Sequence, residues 1–308
     1  MAKLLNKKIL IAVKIVITVL CFALMFWYIG VGKLIDTFLG ASWAMIAVAL
    51  ALTPVCLFVK TIRWFFLARS VDESITYKDA VLSYLAGLCL AVITPFATGE
   101  LARGCYFKDR ASSTGKVFID KLVDLTVVAV FTLVGILFTV GYIQIKLVSA
   151  AALIIIIAIW FIRKSFSRLC KTISNRTGIE SFSRIGIAFS EINTKLLFNI
   201  FLLAFLFFAL FYFQAYVILT AFFEHPPIAT TLFFPLITLS TIIPVTIGGL
   251  GIREWAAALL LKQFNIPEAV AVNTFFVHFI LINFIPALAG APFVQRLIRS
   301  KQLPKDQN

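Results

Sequence analysis

Two motifs set charged residues inside apolar sequence. The first is Pro95-Phe-Ala-Thr-Gly99-Glu100-Leu-Ala-Arg103, and the second is Pro244-Val-Thr-Ile-Gly248-Gly249-Leu-Gly251-Ile-Arg253-Glu254. Each breaks an apolar run with proline and glycine, then brings a glutamate and an arginine together. In the first, Pro95 lacks an N–H and disfavours helix at Thr94, and Gly99 permits a tight turn. Helix resuming near Glu100 would put Glu100 and Arg103 on one face, at i and i+3. The start of such a half-helix exposes unpaired N–H groups and a partial positive charge, so with Arg103 it is a candidate phosphate cradle. Glu100 would compete with an anion there, cap the helix, or hold Arg103. In the second motif, Gly248, Gly249 and Gly251 let the backbone approach a ligand or another helix closely. Arg253 and Glu254 are adjacent, so one is expected to face a cavity while the other pairs elsewhere. Gly99, Glu100, Arg103, Gly249, Gly251, Arg253 and Glu254 are the candidate substrate-binding residues. The plainer reading is an ion pair that pins a hairpin and glycines that pack helices.

Three further residues could handle ions or protons. Asp120 and Asp124 share a helix face at i and i+4. They could bind a cation, relay protons, or pair with Arg103 in a network that anchors the first hairpin. His278 lies in the middle of an apolar segment between Asn273 and Asn283, where interhelical hydrogen bonding is the plain role and proton coupling the sharper one. No residue is assigned a catalytic role. There is no nucleophile elbow, P-loop, dinucleotide fingerprint or zinc-binding spacing. The five cysteines show neither metal nor disulfide spacing. Neither a metal nor a cofactor is expected, and the chain is not expected to be an enzyme.

The elements that position these residues are membrane spans. The 308 residues are 61% hydrophobic and 14% charged, with a mean hydropathy of +1.02. Soluble domains are nearer half apolar and a quarter charged. The largest polar stretch, 163–195, is too short for an independently stable catalytic domain. Eight apolar segments stand at roughly 9–29, 43–66, 80–94, 117–143, 147–162, 196–223, 229–247 and 269–294. A span needs about 20 residues, so 80–94 is too short to cross and 229–247 runs into glycines.

Loop charge then chooses the topology. With re-entrant hairpins at 80–104 and 229–262, the cytoplasmic side collects Lys3, Lys7, Lys8, Lys60, Arg63, Arg69, Lys78, Arg103, Lys108, Arg110, Lys116, the basic loop 163–195 and the basic tail. Only Lys33, Lys146, Arg253 and Lys262 fall outside. The expected architecture is an all-α polytopic membrane protein of six full spans and two re-entrant hairpins. It forms one transmembrane domain over 1–308, with a first repeat of about 1–145 and an inverted second repeat of about 146–295. Such a layout places a site between the hairpins near the bilayer midplane. The net charge of +14 is mostly this topological excess. Both termini are expected on the cytoplasmic side of a plasma membrane.

The motif Pro95…Gly99-Glu100…Arg103, the stretch Asp120-Lys-Leu-Val-Asp124, the pair Arg63-Trp64 and the motif from Pro244 to Glu254 together resemble the lysylphosphatidylglycerol synthase transmembrane region, also called the flippase-like domain. The resemblance covers essentially the whole chain. In the multiple-peptide-resistance proteins of that family, the membrane region translocates an aminoacylated phospholipid made by a separate soluble domain. No such domain is found here, so the resemblance implies lipid handling without synthesis. It also brings the Gly-Gly-x-Gly-x-Arg-Glu form close to members found with envelope polysaccharide systems. The expected function is a flippase for a phospholipid or lipid-linked glycan, its anionic headgroup bound between the hairpins. The alternatives are a membrane enzyme acting on a lipid headgroup and an accessory scaffold of an envelope polysaccharide complex. Expected partners are membrane lipids and envelope biosynthesis proteins, with no nucleic acid.

Overall fold

Long apolar runs become long helices even where they hold a glycine, as at Gly135 and Gly290. The computed structural model describes residues 16–139, 145, 168, 171–176, 186–187, 192–241, 246 and 249–295. The apolar segment 147–162, most of the basic loop 163–195, Pro244, Gly248, Lys3, Lys7, Lys8 and the basic tail lie outside these residues. Among the described residues there is no strand, and five helices are long and apolar enough to cross a membrane. They are α1 (Val16–Leu39), α2 (Trp43–Arg69), α4 (Arg110–Thr139), α5 (Thr194–Phe222) and α8 (Glu268–Phe293). The protein is an all-α polytopic membrane protein. Its outward faces carry Trp27, Phe138, Phe198 and Leu259, all well exposed, as lipid contact requires.

Two hairpins of shorter helices fill the space between the long ones. In the first, α3 (Tyr77–Ile93) starts on a reciprocal cap, with the Asp79 amide donating to Thr76 Oγ1 at 3.2 Å and the Thr76 amide donating to Asp79 Oδ2 at 3.3 Å. It ends at Thr94, which is extended before Pro95 as the ring of a following proline demands. The return arm, Pro95–Tyr106, is a 3-10 helix throughout rather than the α-helix expected from Glu100 onward. The cause is crowding. Gly99 lies against the backbone of Leu90 and Ala91, and Gly104 against that of Thr114, where an added Cβ would meet the Thr114 nitrogen at 2.6 Å. The tighter 3-10 winding fits the slot between α3 and α4.

In the second hairpin, a 3-10 turn (Ile228–Phe233) leads into α6 (Phe234–Ser240), and α7 (Ile252–Leu261) returns against it. Gly251, at φ 87°, opens α7 in a backbone conformation that other residues rarely adopt.

The packing follows a pattern of exchange. Helix α2 packs along α5. The first hairpin's α3 packs on the end of α8, while the second hairpin's α6 packs on α4. The return arm Pro95–Tyr106 lies on α4, and α7 lies on α8. Two glycines allow close approach between the long spans and the hairpins: Gly290 of α8 sits against the Leu85 carbonyl, and Gly135 of α4 against the Leu232 carbonyl.

Polar groups also bind the spans. Pro54 lies inside the continuous α2, where its ring leaves the helix one N–H short, and nearby Gln214 of α5 donates from Nε2 to the Ala49 carbonyl at 2.7 Å and to Thr53 Oγ1 at 2.9 Å. Helix α1, which makes a π turn at Phe26–Gly30, is held by Asn273 Nδ2 donating to the Leu34 carbonyl at 2.9 Å and by Trp255 Nε1 donating to the Cys21 carbonyl at 3.2 Å.

Candidate functional site

Helical spacing builds one chain of charges across three elements. Lys60 and Arg63 lie one turn apart on α2, and Asp120 and Asp124 one turn apart on α4. The two pairs interlock. Lys60 binds Asp124, and Arg63 Nη2 stands 2.6 Å from Asp124 Oδ1 and 2.7 Å from Asp120 Oδ1. Asp120 in turn binds Arg103 of the first hairpin. Signs alternate along the sequence Lys60, Asp124, Arg63, Asp120, Arg103. The last three are sealed from solvent, at 0%, 1% and 0% exposure for Arg63, Asp120 and Arg103. The Arg103 guanidinium also lies 4.4 Å from the Trp64 ring and 5.6 Å from that of Tyr84. Trp64 is fixed by donating from Nε1 to Ser83 Oγ at 2.9 Å.

Beside this chain lies a cavity of about 250 Å³. Both hairpins wall it, through Tyr84, Leu88, Ala91 and Glu100 from the first and Thr238, Thr241 and Arg253 from the second. Lys60 of α2, Lys121 of α4 and His278 and Asn283 of α8 add to its polar lining, and Phe207, Phe208, Phe211 and Phe279 supply aromatic wall. Each cation at the wall has a carboxylate: Lys60 has Asp124, Lys121 has Glu100, and Arg253 has Glu254.

The structure thus brings Glu100, Arg253 and His278 to one cavity and keeps other candidates away from its lining. Arg103 and Asp120 form the sealed end of the charge chain. Glu100 pairs with Lys121 rather than Arg103. Asp124 is outside the lining, but Lys60, which it binds, is part of it. Gly99 donates its amide to Thr94 Oγ1 at 2.7 Å and holds the first hairpin's bend. Gly249, at φ 75°, packs on Thr241, and an added Cβ at Gly251 would meet Cys21 Cβ of α1 at 2.8 Å.

Arg253 and Glu254 do not point apart, as adjacency had suggested. Arg253 folds back so that Nε and Nη2 reach Glu254 Oε1 at 3.2 and 2.6 Å. Glu254 Oε2 accepts the Gly251 amide at 2.7 Å, capping α7. Burial explains the fold-back, since Glu254 is fully sealed and an unpaired carboxylate there would be costly. His278 stacks edge-on to Phe211 with centroids 4.3 Å apart, and neither ring nitrogen has a side-chain hydrogen-bond partner.

Lys60 and Arg63 are the residues whose role sequence reasoning missed. Counted as charges of a cytoplasmic loop, they are instead inside α2 and buried, and Arg103 of the first hairpin and Lys116 of α4, counted with them, are buried too. Their three-residue spacing within the apolar run 43–66, matching the four-residue spacing of Asp120 and Asp124, was the available signal. Among the described residues no group of three or more His, Cys, Asp or Glu gathers as a metal site would.

Long apolar helices, two hairpins folded between them and a partly charged cavity define a multi-pass membrane protein with an internal polar site. The chain belongs to the lysylphosphatidylglycerol synthase TM region family, whose model matches residues 11–290. No curated protein and no solved structure matches it.

Proposed function

We propose that the protein is a flippase-type transporter, not an enzyme, for a phospholipid or lipid-linked glycan of the cell envelope, and that the cavity between the hairpins receives the anionic headgroup. The observation that carries this reading is the cavity lining: Lys60, Lys121 and Arg253 converge on one space whose remaining wall is largely aromatic and aliphatic. Cations suit a phosphate, and the apolar wall suits the start of a lipid chain. Family membership supports a role in lipid or envelope processes.

The packing supports alternating exposure. Exchanging a first half (α1 to α4) with a second half ending in α8 maps α2 onto α5, each hairpin onto the other and α4 onto α8. Under that exchange the contact of α3 with α8 becomes the contact of α6 with α4, and Gly290 on Leu85 becomes Gly135 on Leu232. Two halves related in this way can rock about a site held between them. We place the protein in the plasma membrane with both termini cytoplasmic, following the basic residues that stay exposed on that side, Arg69, Lys78, Lys108 and Arg110 among them.

The test is headgroup accessibility in proteoliposomes carrying fluorescent phosphatidylglycerol, its lysyl form or an undecaprenyl-phosphate-linked sugar, for wild type and Arg253→Gln. Protein-dependent movement of one lipid, reduced in the variant, is the expected result. A folded wild-type protein that moves none of them refutes the proposal in favour of a scaffold or an enzyme.

A further inference from the structure

We infer that Lys60 is the anion-receiving group of the cavity and that Asp124 is its exchangeable partner. An incoming phosphate takes the Lys60 ammonium while Arg63 retains the carboxylate. This rests on the proposed transporter reading and names the residue through which it would work.

The argument is a comparison of what each cation would leave behind. Arg63 and Arg103 are fully buried and are not among the residues lining the cavity. Arg253 does line it, but its partner Glu254 also caps α7 through the Gly251 amide. Pulling Arg253 away leaves a sealed carboxylate with no cation beside it. Lys121 lines it too, but a phosphate on Lys121 leaves Glu100 without the cation that neutralises it. Only at Lys60 is the displaced acid already held by a second cation, because Arg63 Nη2 stands 2.6 Å from Asp124 Oδ1.

Removing one partner of a buried pair is expensive because the other charge is left uncompensated. Exchange at Lys60 leaves none. An ammonium carries three donors, so it can hold a phosphate oxygen even before Asp124 leaves. It binds phosphate as a point charge with little demand on approach angle, which suits a headgroup that must also depart. The ring of Phe207, 4.6 Å from Nζ, keeps the ammonium partly stabilised between occupants.

Asp124 is therefore a built-in competitor of the ligand, and its removal should strengthen binding. A merely structural pair predicts the opposite, since either substitution would loosen the site. The experiment is calorimetric titration of the purified full chain in detergent. The probes are short-chain phosphatidylglycerol, inorganic phosphate and short-chain diacylglycerol, and the proteins are wild type, Lys60→Gln, Lys60→Arg and Asp124→Asn, each checked by thermal melting.

The expected result is that phosphatidylglycerol binds wild type and diacylglycerol does not. Lys60→Gln should weaken binding by about tenfold or more, the scale of one lost charge-assisted contact. Lys60→Arg should restore most of it, and Asp124→Asn should tighten it several-fold. Unchanged affinity in Lys60→Gln, or weaker binding in a folded Asp124→Asn, overturns the inference and leaves the transporter reading standing. Binding of inorganic phosphate alone, lost in Lys60→Gln, supports Lys60 as receiver and overturns the lipid reading. No binding of any probe to folded wild type overturns both. Should Lys60→Gln fail to fold, the sign of the Asp124→Asn effect decides.

Discussion

Gly290 approaches the carbonyl of Leu85 so closely that no side chain fits between them. The contact joins the last span to the first hairpin, and Gly135 makes its counterpart with Leu232 between α4 and the second hairpin. In a bilayer the hydrophobic effect does not drive helices together, so close backbone packing of this kind carries much of the association.

Valine at either glycine must push a backbone away. Gly290→Val and Gly135→Val are each expected to lower stability by about 1–3 kcal/mol, the usual range for overpacking. Thermal melting in detergent reads this, and a Gly290→Val protein that melts with wild type would show that the approach is not tight.

Asp120 is shared by two buried arginines. Asp120→Asn leaves Arg63 leaning on Asp124 alone and Arg103 with no carboxylate bound to it. The expected loss is about 3–5 kcal/mol, the range for breaking a buried pair. A double-mutant cycle with Arg103→Gln should recover part of it, and strict additivity would argue that the two side chains do not interact.

Gln214 supplies donors to α2 beside Pro54. Gln214→Leu keeps the bulk but removes both donors and the Oε1 that accepts from Cys56 Sγ at 4.0 Å, leaving the Thr53 hydroxyl without its donor and the Ala49 carbonyl with only the long bond from Thr53 Oγ1, 3.4 Å, among its side-chain partners. A loss of about 1–3 kcal/mol is expected by melting, with the α2–α5 pair loosened first. Faster amide exchange confined to α2 and α5 would mark that site.

Between α7 and α8, Lys262 Nζ stands 3.1 Å from Glu268 Oε1, and that carboxylate raises the lysine pKa above its ordinary 10.5. A raised lysine pKa contributes stability that is present below the unfolded value and lost as pH rises through the folded one. The melting difference between wild type and Lys262→Gln, small because the pair is exposed and screened, should shrink as pH is raised past the lysine range. A difference that grows there would contradict the pairing.

Much of this architecture was readable from residue order. Pro95 after Thr94 and the cluster ending at Gly251 announced both bends, because proline and positive-φ glycine act locally. Local rules could not foresee that the return arm Pro95–Tyr106 would be squeezed to 3-10 geometry by α3 and α4, since that depends on elements far apart in sequence. The same limit hid the charge chain. Asp120 and Asp124 were visible as a pair on one face. Their partners Lys60 and Arg63 sat near a span end, where lysine and arginine are common for topological reasons, and only tertiary packing shows that they are buried. Arg253 and Glu254 failed for a different reason: adjacency fixes where two side chains start, whereas burial decided that a long arginine would bend back to its neighbour.

The charge chain also constrains how the protein is made. Asp124 follows Lys60 by 64 positions. Helix α2 therefore leaves the ribosome with Lys60 and Arg63 near its end and neither Asp120 nor Asp124 yet synthesised to meet them. Each carries an insertion cost of about 2.5–3.5 kcal/mol at the centre of a lone helix. During biogenesis those side chains must rest at the aqueous end of α2 or inside the translocon until α4 arrives. The segment carrying the first hairpin can settle only afterwards, because Arg103 docks on the Asp120 that α4 brings.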